Sequence, residues 1–409
     1  VRSLASTLPH FLRALGTRNY RLYFAGQCVS LLGNWMTTTA ALWLAYQLSG
    51  SPFTVGLVGF ASQIPVLFCA PFFGVWVDRV DGLKLVRWAQ ALAMAQSVAL
   101  AGFALSGHMT VPVLLALCLC QGFINALDWP ARQALTYRLA GDRALLDNVI
   151  ALNSITFNLA RLIGPAVAGF VIAAWGPGVC FALDAVSYVA VLAALAAVRL
   201  EVPAARRREA HPLADLRDGV RYAWSHPAIR RVLLPVPVIG LAGFAHTILA
   251  PVFARDAFGG DARTLGFLMA ATGVGSLAAG LCLSLRTTTV GLAKGVVLGA
   301  VIGGAGLAGL AIPAPLGWAL GCFAAAGGGG ALVMVASNTL LQASVDDDKR
   351  GRVMSLFTMG QSLYPVGSLA IGALAEAAGP RAAILVCGAV CMATAGVLGR
   401  GRGTAGGGA

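Results

Sequence analysis

The chain has 409 residues, 58% of them hydrophobic and only 11% charged, with 29 Lys and Arg against 16 Asp and Glu for a net charge of +13. A soluble domain carries roughly 25% charged residues, so this composition excludes a disordered chain and argues against a water-soluble enzyme. On a soluble protein the basic excess would suggest nucleic acid; on a membrane protein it records which loops face the cytoplasm.

Residues 1–21 carry Arg2, Arg13, Arg18 and Arg21 without an apolar core ending in a cleavage site. They read as a basic, partly amphipathic lead, with Phe11, Leu12 and Leu15 on its apolar side, rather than as a secretory signal. Crossing the hydrocarbon core takes about 20 apolar residues in a helix. Twelve such runs follow: Leu22–Leu48, Phe53–Val77, Leu85–Leu105, Val111–Leu127, Val149–Trp175, Val179–Val198, Val232–Phe253, Leu265–Leu285, Val290–Ile312, Leu316–Leu341, Val353–Ala377 and Ala382–Leu398. They are too long and lack the alternation of barrel strands. The expected fold class is an all-α membrane protein of twelve transmembrane helices.

The connections alternate in charge. Ser49–Pro52, Ser106–Thr110, Gly176–Gly178 and Pro313–Pro315 carry no acid and no base other than His108, whereas the intervening ones hold Lys84 and Arg87, Arg138 and Arg143, and Lys349 to Arg352. The positive-inside rule makes the basic connections and both termini cytoplasmic. Only Arg255, Arg263 and Arg381 then fall outside and only Arg161 lies at membrane depth, so the net charge is a topology signal and no nucleic-acid partner is expected. The longest connection divides the chain into residues 1–198, a cytoplasmic linker 199–231 with Arg206 to Arg208, residues 232–398, and a tail 399–409. Each half holds six spans. Gly176-Pro177 recurs as Gly379-Pro380, and Val149-x-x-Leu152 as Val353-x-x-Leu356, both displaced by close to half the chain. The common offset suggests a duplicated six-helix bundle.

The loop after the second span reads Gly74-Val-Trp-Val-Asp78-Arg79-Val-Asp-Gly82-Leu-Lys84. This resembles the G-x-x-x-D-R-x-x-G-x-K signature of the major facilitator superfamily, at the position where that family carries it. A glycine permits close helix approach, and the aspartate can accept from a helix N-terminus. The resemblance places that partner near the start of span eleven, around Arg350 to Arg352. Asn19-Tyr20-Arg21-Leu22, Gly33-Asn34-Trp35-Met36, Pro130-Ala131-Arg132-Gln133-Ala134, Asn158 to Pro165, Phe253 to Asp256 and Arg350 to Leu356 are similar to the branch containing the enterobactin exporter and macrolide-efflux-type proteins. The resemblance implies two pseudo-symmetric bundles and export of a small molecule by alternating access. Span five, with Ala151, Ala160, Gly164, Pro165, Ala168 and Gly169, resembles the family's antiporter signature with three glycines replaced by alanine. Near span four, Cys118 stands where the antiporter pattern before Gln121-Gly122 has arginine.

Ionisable groups at membrane depth are costly and face a partner or a cavity. Arg161 and Asp184 are expected to form a buried pair, either coupled to transport or bolting two helices. Asp128 and Arg132, spaced i,i+4, suit a helix-end brace or an inner gate. Asn34 stands where related exporters often carry an acid, so either another group carries the proton or coupling differs. Gln27, Asn34, Trp35, Asn125, Asn158, His246, Asn338, Gln361 and Tyr364 either line a substrate cavity for an amphipathic ligand or bond across helices; for His246 a packed role outweighs a proton relay.

The nine cysteines lie in the spans with no ligand-like cluster, and no phosphate-binding loop occurs, so neither metal, cofactor nor direct use of ATP is expected. The expectation is a monomeric, proton-coupled exporter of a drug or siderophore in the plasma (inner) membrane. An importer of the same fold, or a non-transporting receptor or assembly factor, is the alternative.

Overall fold

The computed structural model describes residues 10–77, 80–140, 145–198, 212–285 and 291–400, and among these every regular element is helical. A short 3-10 turn, His10–Gly16, precedes α1 (Arg18–Ser49), α2 (Pro52–Val77), α3 (Gly82–Leu105), α4 (Val111–Ala140), α5 (Leu146–Trp175) and α6 (Pro177–Ala197). After the linker helix α7 (Pro212–Ser225) come α8 (Pro227–Leu233), α9 (Pro235–Val238), α10 (Ala245–Val252), α11 (Ala262–Ser284), α12 (Leu292–Gly309), α13 (Leu316–Ser344), α14 (Asp347–Gln361), α15 (Tyr364–Ala378) and α16 (Pro380–Arg400).

Ten helical stretches among the described residues are long and apolar enough to cross a membrane, and they match ten of the expected spans. The other two are helical but differ. In α1, Gln27, Ser30, Asn34 and Thr37 to Thr39 dilute the apolar length. The eleventh is divided into α14 and α15 at Ser362–Leu363, where Pro365 in the first turn of α15 supplies no amide donor. The seventh span, Ile229–Ala257, is broken into several short helical elements. Wide π-type turns at Ile239–Gly243 and Phe253–Ala257 flank α10, and Pro235, Pro237 and Pro251 remove donors along it.

The chain forms two compact units: Val1–Leu48 with Ala61–Glu209, and Ser49–Phe60 with Ala210–Ala409. The first turns of α2 thus belong to the second unit. In the first unit α3 packs on α6 and α4. A cluster including Tyr20, Tyr23, Leu85, Val86, Leu135, Leu139, Val149 and Leu195 fills one end of it. In the second unit α13 packs between α11 and α12, and α12 also meets α16. Phe72 and Trp88 are 77% and 69% exposed, as suits apolar side chains that face lipid.

Candidate functional site

In the first unit three helices converge on Asp184, near the middle of α6 and 1% exposed. Its Oδ2 accepts hydrogen bonds from Thr37 Oγ1 of α1 and Ser97 Oγ of α3, both at 2.9 Å. Ser187 Oγ, one turn further along α6, lies 3.4 Å from Oδ1 and donates to the Asp184 carbonyl at 2.7 Å. Gly33 makes room for the carboxylate, since a Cβ there would run into Oδ1 and lie 2.8 Å from Ser187 Oγ. The site is a carboxylate ringed by hydroxyls.

The expected Arg161–Asp184 pair is not formed. Asp184 faces α1 and α3, whereas the Arg161 guanidinium turns to the Trp35 ring, 6.0 Å from its centroid. Phe157 meets the same indole edge-on at 5.8 Å. Gly164 explains how α1 comes this close to α5, because a Cβ there would sit 2.6 Å from the Trp35 Cβ. Pro165 beside it is buried within α5.

A second polar cluster joins α1, α3 and α4. Arg132 and the buried Asp128 form an ion pair one turn apart. Gln90 Nε2 donates to Asp128 Oδ1 at 2.8 Å, and Arg132 donates to Gln27 Oε1 at 2.9 Å. Gln27 Nε2, Gln90 Oε1 and Arg132 Nε are buried polar atoms with no hydrogen-bond partner among the described residues.

Of the signature loop, Asp78 and Arg79 lie outside the described residues. Gly74 belongs to α2, Gly82 opens α3, and Lys84 is exposed on its first turn. Asp81, which the motif leaves unspecified, caps α3 by accepting from the Leu83 and Lys84 amides at 3.0 and 3.4 Å. Arg352, expected near the partner of Asp78, pairs with Asp218 of α7 at 3.3 Å.

The remaining cavity candidates divide between the units. Asn125 accepts from Gln121 at 2.9 Å and Asn158 donates to the Ser154 carbonyl at 2.8 Å, each within its own helix. The Asn34 carbonyl accepts from Thr38 at 2.9 Å. In the second unit His246 is buried edge-on against Phe323 at 5.4 Å, and Tyr364 stands edge-on to Phe244 at 5.6 Å. Asn338 accepts from Gln342, and Gln361 ends α14. A cleft of about 310 Å³ in this unit lies between Val252–Ala257 and Ala378–Ala382, and none of these candidates lines it.

Sequence reasoning missed the hydroxyls of Thr37, Ser97 and Ser187, because isolated Ser and Thr in apolar runs carry no pattern. It also missed Glu376, next to last in the run Val353–Ala377. Glu376 Oε2 accepts from Ser51 Oγ at 2.8 Å and from the Phe53 amide at 3.3 Å, so it caps α2 from α15.

Comparison with known proteins fits this architecture. The sequence profile of the transmembrane secretion effector family, within the major facilitator superfamily, matches residues 12–402. The staphyloferrin A transporter of Staphylococcus aureus (strain NCTC 8325 / PS 47) is 24% identical, covering 88% of this chain and 90% of its own. The multidrug efflux pump Tap of Mycolicibacterium fortuitum is 26% identical, covering 86% and 88%. Among solved structures, a peptide transporter POT superposes with a TM-score of 0.74 at 12% identity, covering 94% of each chain. The nucleoside transporter NupG gives 0.68 at 16%, covering 94% and 98%; at such identities these two speak for the fold alone. The chain therefore belongs to the transmembrane secretion effector family of the major facilitator superfamily, and is a multi-pass membrane transporter of small molecules, not an enzyme.

Proposed function

We propose that the chain is a secondary transporter that exports a small amphipathic compound, a siderophore or an antimicrobial drug, in exchange for protons. The observation that carries this reading is the likeness, over more than four fifths of each chain, to relatives named for a siderophore and for multidrug efflux. Export proceeds by rocking of residues 1–198 against residues 232–398, with twelve crossings, both termini cytoplasmic, in the plasma membrane and as a monomer. The basic connections favour that topology.

Asp184 is the group we assign to the proton. An ionised carboxylate at membrane depth needs donors, and Thr37, Ser97 and Ser187 supply them. A protonated one needs an acceptor, and each hydroxyl can turn to provide it. Ser97 Oγ has Gln96 Oε1 at 3.5 Å as an alternative acceptor for its own proton, and Ser187 has the Asp184 carbonyl. Both protonation states are thereby satisfied without a cation, which suits a group that gains and loses a proton in each cycle. Asp128 is less suited, because it is already paired with Arg132 one turn along the same helix. Trp35, Phe157 and Arg161 offer an aromatic and cationic face to an amphipathic anion.

Accumulation of fluorescent dyes, drugs and catecholate siderophores in cells with and without the chain, repeated with a protonophore, tests the reading. Lower accumulation that the protonophore abolishes is expected. Higher accumulation would make the chain an importer, and no difference for any compound would remove the exporter reading.

A further inference from the structure

The helix that links the halves has two unlike faces. One face of α7 is tied to α14 and its lead-in. Asp218 pairs with Arg352 at 3.3 Å, and the Tyr222 hydroxyl donates to Asp346 at 2.8 Å. Ala223 is buried in a cluster with Ile229, Val236, Val353 and Phe357. These contacts fix the rotation of the helix about its own axis.

The opposite face carries Arg217, Val220, Arg221 and Trp224, at i, i+3, i+4 and i+7. All four are exposed, Val220 at 44% and Trp224 at 62%. Arg230 on α8 places its guanidinium over the Trp224 indole, 5.8 Å from the ring centroid. The next membrane-spanning stretch begins at Ile229, so this pairing puts Trp224 level with the first turn of that span. An indole prefers that depth, where its apolar body meets acyl chain and its N–H meets water. An apolar strip bordered by arginines is the pattern of a helix lying in the membrane interface.

We propose that the Arg217, Val220, Arg221 and Trp224 face of α7, with Arg230, binds the phosphate headgroups of anionic phospholipids in the adjoining leaflet. Charge complementarity selects this occupant. Among the described side chains the face presents arginines and no carboxylate, since Asp218 points to Arg352, and guanidinium pairs with phosphate in a bidentate geometry. The strip also lies just before the stretch, beginning at Ile229, that is long and apolar enough to cross a membrane. Because Asp218 shares α7 with these arginines, lipid held on one face steadies the ion pair to α14 on the other.

The test uses the full chain reconstituted in mixed bilayers of phosphatidylglycerol and phosphatidylcholine, released into detergent, with retained lipid counted by native mass spectrometry. Wild type is expected to retain phosphatidylglycerol preferentially. Arg217→Gln/Arg221→Gln should lower that preference by about fivefold per arginine, about thirtyfold together. Its melting temperature in phosphatidylcholine alone should equal that of wild type, which separates lost binding from lost folding. Brominated phosphatidylglycerol should quench the emission that wild type has and Trp224→Phe lacks. An unchanged preference in the double variant, no preference in wild type, or an unquenched Trp224 would each overturn the proposal.

Discussion

Gly176 and Gly379 make the same turn, one in each unit. Their backbone angles are φ 83°, ψ 168° and φ 87°, ψ 154°, and each amide donates to the carbonyl four residues back, Ile172 at 2.9 Å and Ala375 at 3.0 Å. Each is followed by a proline that opens the next helix. That region of backbone space is essentially closed to residues with a Cβ. Gly176→Ala and Gly379→Ala should each lose about 1–3 kcal/mol, read as a lower melting temperature in detergent. Gly102→Ala, at a helical position with open space around it, should be neutral or slightly stabilising.

The run Gly327 to Gly330 predicts a graded response. A Cβ on Gly327 would run into the Thr272 carbonyl of α11, and one on Gly329 would overlap the Gly303 amide and lie 2.5 Å from the Gly299 carbonyl of α12. Gly330 faces open space. Backbone atoms cannot swing aside, so α13 would have to move away from both neighbours. Gly327→Ala and Gly329→Ala should cost stability of the order of overpacking, about 1–3 kcal/mol, while Gly330→Ala leaves the melting temperature unchanged. Equal effects at all three positions would contradict the packing.

Asp128 and Arg132 should respond unequally. Arg132→Gln leaves Asp128, 3% exposed, with Gln90 as its donor among the described residues, and a stranded buried charge costs about 3–5 kcal/mol. Asp128→Asn leaves an arginine whose side chain is 23% exposed and still bonded to Gln27, so its cost should be smaller. The double variant should recover part of the loss, and melting of all three variants in one double-mutant cycle measures it.

The membrane class, ten of the spans and the corner at Gly176 were legible because length, apolarity and a glycine–proline pair are local signals. Residue spacing also revealed Asp128 with Arg132, which are neighbours on one helix. What joins different helices was not legible. Asp184 was singled out by its cost in the membrane, but its partners were assigned to the wrong helix. Arg161 looked like the obvious counter-charge, yet the rotation of α5 sends it to Trp35 while α1 and α3 supply hydroxyls. A run of four glycines such as Gly327 to Gly330 fits either flexibility or close helix contact, and the positions of α11 and α12 decide for contact. The division of span eleven was hidden because a proline in the middle of an apolar run, as Pro365 is in Val353–Ala377, is also tolerated in membrane helices.

Proton-driven export through Asp184 is tested most directly in proteoliposomes preloaded with a transported drug. An acid pulse outside should speed release by wild type, because protons enter as drug leaves. Asp184→Asn, which keeps the shape of the side chain but cannot take up a proton, should still bind drug yet release it at a rate indifferent to the pulse. Release from wild type that ignores the gradient, or from Asp184→Asn that follows it, would contradict the account.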